Sequence, residues 1–374
     1  MNTVFVMRAA YTFDFKHLRG DIYGGLTAGV VAIPLALAFG VASGLGPMAG
    51  MYGAIIVGFF AAWLGGTPTN VSGPTGPMVV VLAGLFASLS GDVGLILTAV
   101  VLAGVFQIIF GIIKLGDFIR LVPYPVVSGF MSGIGVIIII LQLDATLGHM
   151  APAGTIPALQ YRPTALTDIN MSALAVAAVT LLVVYGWPTA WGKYLPAALA
   201  ALAAGTLVSL FLGELPVLGE IPSGLPSFYM PSFSQGAMML VIEAAFILAV
   251  LGAIDSLLTS LVADNMTRTR HDSNQELIGQ GIGNAVAGLF GGIAGAGATM
   301  RTVVNIRSGG HTKISGMIHS VVLAAVVLGL GPIAAYIPHA ALAGVLIKVG
   351  LDIIDFSYLR NAHRGPRWDL ALMA

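Results

Sequence analysis

Ser72-Gly73-Pro74-Thr75-Gly76-Pro77 decides how this chain folds. It follows the apolar run Gly53–Leu64 and opens onto a second apolar stretch from Met78. Proline has no backbone N–H to lose in the first turn of a helix, and glycine lets a backbone approach its neighbour closely. The stretch therefore predicts a helix that begins abruptly, over 74–90, and is too short to cross a bilayer. Gly295-Ala296-Gly297-Ala298-Thr299-Met300-Arg301-Thr302 repeats the interruption and predicts a second short helix over 298–308.

Around these breaks the chain is apolar. Of its 374 residues 57% are hydrophobic and only 9% charged, with a mean hydropathy of +0.95. A water-facing surface needs about 25% charged residues, so most of this surface faces lipid. The expected fold is an all-α polytopic membrane protein. Twelve segments are expected at 22–43, 47–64, 74–90, 93–113, 124–143, 172–187, 194–212, 237–263, 275–293, 298–308, 312–332 and 338–354. No cysteine is present, which excludes disulfides, thiolate nucleophiles and Cys-based metal sites. A formal net charge of zero argues against a nucleic-acid partner. His311, His319 and His339 lack metal-ligand spacing, and Gly279–Gly283 and Gly291–Gly297 lack the strand context of a dinucleotide fold.

With the N-terminus in the cytoplasm, the inner loops hold Arg8, Lys16, Arg19, Lys114, Arg120, Lys193, Arg268, Arg270, Arg307, Lys313, Arg360, Arg364 and Arg367. The outer loops hold only Arg162, while Arg301 and Lys348 fall near membrane depth. That asymmetry orients helices during insertion. Polar Phe13–Asp21 is no signal peptide, so the first helix is expected to remain as an anchor. Outer stretches Asp144–Asp168, with Pro and Gly, and Gly213–Pro231, with Pro, Gly and Ser, read as loops. Segments one to seven occupy 1–212, a linker 213–236, and segments eight to twelve 237–374. Trp368–Ala374 starts another apolar run and stops, so the second half reads as incomplete.

Short, interrupted helices in corresponding positions of two halves are the best sequence pointer to a transporter's binding site. Irregular backbone survives inside a bilayer only where protein or a cavity satisfies it. Free N–H groups and the positive dipole end of a helix that starts at mid-membrane suit an anion. Gly73, Thr75 and Gly76 at one start, with Thr299, Met300 and Arg301 at the other, form the candidate anion cradle. The alternative is two flexible turns between ordinary helices. Asp255 interrupts apolar Ala249–Leu258, so it should face a cavity and be paired or protonatable. Thr259, four residues on, shares its helical face. The acid can carry a proton, ligate Na⁺ or neutralise Arg301; a purely structural Asp255–Arg301 pair is the plainer alternative. Phe39, near Pro34 in the first segment, walls a pocket or merely packs. Glu243 reads as a vestibule or interface residue and Lys348 as a snorkelling one. Asp272 or Ser273 with Glu276 has the spacing of a capping box.

These residues resemble the SulP family of anion permeases, relatives of the eukaryotic sulfate transporters and prestin (SLC26). The matching stretches are Ile33-Pro34-Leu35-Ala36-Leu37-Ala38-Phe39-Gly40, then Ser72 to Pro77, and the most specific, Asp272-Ser273-Asn274-Gln275-Glu276-Leu277, Gly281-Ile282-Gly283-Asn284, Thr302-Val303-Val304-Asn305 and Gly309-Gly310-His311-Thr312. The resemblance implies two inverted seven-segment repeats with core and gate domains, of which about twelve of fourteen segments are present. It also implies half-helices preceded by short extended stretches, elevator-like transport and a homodimer in the full-length protein. Family members carry a C-terminal STAS domain, which has no counterpart in this sequence. Phe39, Thr75, Thr299, Met300 and Arg301 match the family's anion pocket, and Asp255 its coupling position. Sodium–bicarbonate members suggest Na⁺ ligands at Thr75, Asp255, Thr259, Gly297 and Thr299, but carry a small residue where Arg301 stands. Proton-coupled sulfate members pair an acid with an Arg, and a fixed cation beside Asp255 favours the proton.

The expectation is a secondary active transporter of sulfate, bicarbonate or a dicarboxylate, coupled to H⁺ or Na⁺, in a bacterial inner membrane. An uncoupled exchanger or channel is the alternative. No cofactor beyond the co-transported cation is expected. An intramembrane enzyme would need a Ser–Lys or Asp–Asp dyad that the sequence does not offer.

Overall fold

The computed structural model describes residues 15–121, 124–150, 154–188, 190–192, 195–213, 215–219, 226–232, 234 and 236–361. Arg8, Lys193, Arg364, Arg367 and the run Trp368–Ala374 lie outside the described residues. Helices α1 (Leu18–Ala42) and α2 (Pro47–Leu64) lead into a two-residue strand β1 (Ser72–Gly73), a short α3 (Gly76–Ser88) and α4 (Val93–Ile112). Next come α5 (Tyr124–Thr146), α6 (Thr155–Thr167), α7 (Met171–Gly186) and α8 (Ala197–Ser209). Then follow α9 (Met238–Thr267), α10 (Ser273–Leu289), strand β2 (Ala296–Gly297) and α11 (Thr299–Arg307). α12 (Lys313–Ala334), α13 (His339–Ile353) and α14 (Phe356–Asn361) complete the described chain.

Each of the twelve segments expected from sequence falls on a helix, with ends moved by a few residues. Among the described residues α1, α2, α4 and α9 are each long and apolar enough to cross a bilayer alone. The fold is that of an all-α polytopic membrane protein. α3 and α11 have 13 and 9 residues. At 1.5 Å per residue they span roughly 20 and 14 Å, well short of the ~30 Å hydrocarbon core.

Two compact units emerge, one within Met1–Asp117 and Glu220–Ala334, the other within Phe118–Gly219 and Ala335–Ala374. In the first, α10 packs against α2 and α4, α12 against α1 and α2, and α11 against α1 and α9. Small residues let these backbones touch. A Cβ on Gly104 of α4 would lie 2.4 Å from the carbonyl oxygen of Gly281 in α10, so only glycine fits this crossing. In the second unit α13 packs against α5 and α7, and α7 against α8.

Two local readings are corrected. The stretch Asp144–Asp168 is no plain loop, because α6 lies within it despite Pro163. Arg162 stabilises it: Nε donates to Oδ1 of buried Asp144 at 2.9 Å, and Nη2 to the Ile140 carbonyl at 2.7 Å. The α10 capping box does not close either. Asp272 is the N-cap, its Oδ1 accepting from the N–H groups of Asn274 (3.1 Å) and Gln275 (3.0 Å). Glu276 instead turns away to the Gly66 and Thr67 N–H groups, both at 2.9 Å. Lys348 of α13 pairs with Asp352 one turn on.

Candidate functional site

β1 and β2 pair antiparallel, Ser72 opposite Gly297 and Gly73 opposite Ala296. The N–H of Ala298 donates to the Val71 carbonyl at 3.0 Å, extending the contact by one residue. Both interrupted stretches thus meet, and a half-helix leaves from each. Neither start is capped by its own side chain: Thr75 and Ala298 hold the N-cap positions without a capping hydrogen bond. The first four N–H groups of a helix have no partner within it, and a buried start without a cap needs one from elsewhere. The Thr75 hydroxyl oxygen is itself buried with no hydrogen-bond partner among the described residues.

Arg301 sits in the first turn of α11 and is 2% exposed, an unusual place for a guanidinium. Its Nη2 donates to the Pro74 carbonyl at 2.7 Å, which aims the charge from one half-helix at the start of the other. Gly73 makes this possible. Its φ of +153° disfavours other residues, and a Cβ there would lie 2.6 Å from Nη1 of Arg301. The missing side chain at Gly73 leaves room for the guanidinium.

α9 closes the site with a polar face. Ser256 Oγ accepts from the Gly297 N–H at 2.9 Å. Thr259 Oγ1 donates to the Gly297 carbonyl at 3.0 Å and lies 2.7 Å from Thr299 Oγ1. Ser260 Oγ and Thr67 Oγ1 are 2.7 Å apart. Asp255 is half-buried beside these hydroxyls, next to the Thr75 side chain and within electrostatic range of Arg301. It makes no ion-pair contact with Arg301 within 4 Å, although the two charges interact electrostatically. Thr259, Thr299 and the Gly297 carbonyl share one hydrogen-bonded cluster, with Asp255 on the next turn and Thr75 in its range. All five donors are oxygens, the ligand type that hard cations take.

Not every expected residue joins. Phe39 is buried in α1, which packs against α3 and α11. Gly76 begins α3 and is buried. Met300, between Thr299 and Arg301, is 62% exposed and lies outside the hydrogen-bonded cluster. Sequence reading passed over Ser256 and Ser260, although the carboxylate at 255 and the hydroxyls at 256, 259 and 260 mark one face of an otherwise apolar helix.

Residues 18–374 match the model of the sulfate permease family. The chain is 50% identical over 370 residues to the bicarbonate transporter BicA of Picosynechococcus sp., covering 96% of the chain and 65% of that relative. It is 27% identical over 375 residues to the chloroplastic sulfate transporter 4.1 of Arabidopsis thaliana, covering 96% of the chain and 54% of the relative. The chain thus spans less than two thirds of the length of either. The solved transmembrane domain of a cyanobacterial bicarbonate transporter BicA superposes with a TM-score of 0.92 at 48% identity, covering 96% of this chain and 94% of that one. SLC26A9 superposes with a TM-score of 0.83 at 19% identity, covering 96% and 62%, a likeness of fold alone. With its family model matched from the first helix onward, the chain belongs to the sulfate permease family.

Proposed function

We propose that this chain is the membrane part of a secondary active transporter for a small anion, with bicarbonate as first candidate substrate. The carrying observation is the pair of half-helix starts joined by β1 and β2, neither capped by a side chain, with Arg301 anchored on Pro74 between them. Two dipole ends and a guanidinium attract an anion, and the low dielectric strengthens each interaction. The 50% identity to a bicarbonate transporter, against 27% to a sulfate transporter, supports the order in which substrates are tested.

Asp255 carries the coupling cation. Arg301 close by disfavours a second fixed positive charge, which supports a proton. The oxygen cluster of Thr75, Asp255, Thr259, Gly297 and Thr299 supports Na⁺ as the second reading. All these residues belong to one compact unit, which suits an elevator-like displacement of the whole site. Uptake of labelled bicarbonate and sulfate into proteoliposomes, under an imposed pH or Na⁺ gradient, tests the proposal. Gradient-driven accumulation is expected. Equilibration without accumulation would instead identify a channel or exchanger.

A further inference from the structure

α10 carries Glu276, Gln280 and Asn284 at successive spacings of four, each 0% exposed. Residues four apart lie on one helical face, so these three form a buried polar stripe. Glu276 is its hub. Oε2 accepts from the Gly66 and Thr67 N–H groups, and Oε1 from Asn70 Nδ2 at 2.7 Å and Gln280 Nε2 at 2.9 Å. Four donors satisfy a carboxylate that has left water entirely, with the Lys313 ammonium in electrostatic range.

Two hydrogen-bonded routes run from this hub to the half-helix starts. Gln280 Nε2 also donates to Ser72 Oγ in β1. Asn70 Oδ1 accepts from Thr302 Oγ1 at 3.0 Å, and that oxygen accepts from the Val71 N–H at 3.0 Å. Thr302 directly follows Arg301. Further along the stripe, Asn284 grips the approach to β2, its Nδ2 donating to the Gly295 carbonyl at 2.9 Å and its Oδ1 accepting from the Gly295 N–H at 2.8 Å. One helix face thereby holds both strands and, through Thr302, the turn that carries Arg301.

We propose that Glu276, Gln280 and Asn284 are positioning residues of the anion site, setting the separation of the two half-helix starts and hence anion affinity. This rests on the anion-site reading above. The test titrates the purified chain with bicarbonate and with sulfate, alongside Glu276→Gln and Gln280→Met. Glu276→Gln turns an acceptor oxygen into an amide facing N–H donors; Gln280→Met keeps the length but loses the bonds to Ser72 and to Glu276. Affinity of the folded protein is expected to fall about tenfold in the first and severalfold in the second, and Glu276→Asp to recover part of the loss. A merely structural role would lower the yield of folded protein and leave its affinity unchanged. If Glu276→Gln does not fold, Gln280→Met decides, and wild-type affinity in it overturns the proposal. Wild-type protein that binds neither anion overturns the anion-site reading and this inference together.

Discussion

Gly73 and Asp255 test the site one residue at a time. A methyl at position 73 meets Nη1 of Arg301 at 2.6 Å, and the guanidinium, as the far end of a flexible side chain, is what must move. Gly73→Ala is therefore expected to fold but to bind anion about tenfold more weakly, measured by titration beside a thermal melt. Wild-type affinity would mean that the placement of Arg301 is not decisive. Asp255→Asn keeps the shape of the half-buried side chain and removes its charge. It is expected to abolish cation-driven accumulation while anion exchange persists; unaltered gradient-driven uptake would remove the acid from coupling. Asp255, Thr259 and Arg301 were legible in sequence because a charge or hydroxyl at membrane depth demands a partner. Glu276 was misread because a helix start with an acid three to four residues on is the same pattern whether the carboxylate turns back to the cap or away to Gly66 and Thr67.

Among the elements, α3 and α11 were legible because Gly and Pro punctuate an apolar chain, and irregular backbone is rare in lipid unless something satisfies it. The β1–β2 pairing between them was not, since two-residue strands leave no periodicity to read. α6 escaped for the opposite reason. Pro163 and the polar flanks resemble a loop, and the contact that steadies the helix, Arg162 on Asp144, joins residues 18 apart. Arg162→Ala would leave Asp144 buried and unpaired, a change that costs about 3–5 kcal/mol for a buried pair. The expected result is a lower melting temperature and faster proteolysis within Thr155–Thr167, with anion affinity unchanged because every site residue lies in the other unit. A melt identical to wild type would show that α6 does not depend on this pair.

Across the whole molecule, each compact unit draws on both sides of the 213–236 linker, an interleaving that helix positions alone do not reveal. The distribution of Lys and Arg predicts an orientation that introduced cysteines can test, because the chain has no cysteine of its own. In intact cells an impermeant maleimide is expected to label Thr164→Cys in α6 and to reach Thr269→Cys, in the α9–α10 turn, only after permeabilisation. The reverse pattern would invert the topology. At this scale the central claim is that two opposed half-helix starts and Arg301 bind one anion. Its most direct test is equilibrium binding of bicarbonate and sulfate to purified wild type and Arg301→Ala. Saturable binding of at least one anion, weakened tenfold or more by the substitution, about the weight of a charged hydrogen bond, is expected. Equal affinity in the two proteins would contradict it.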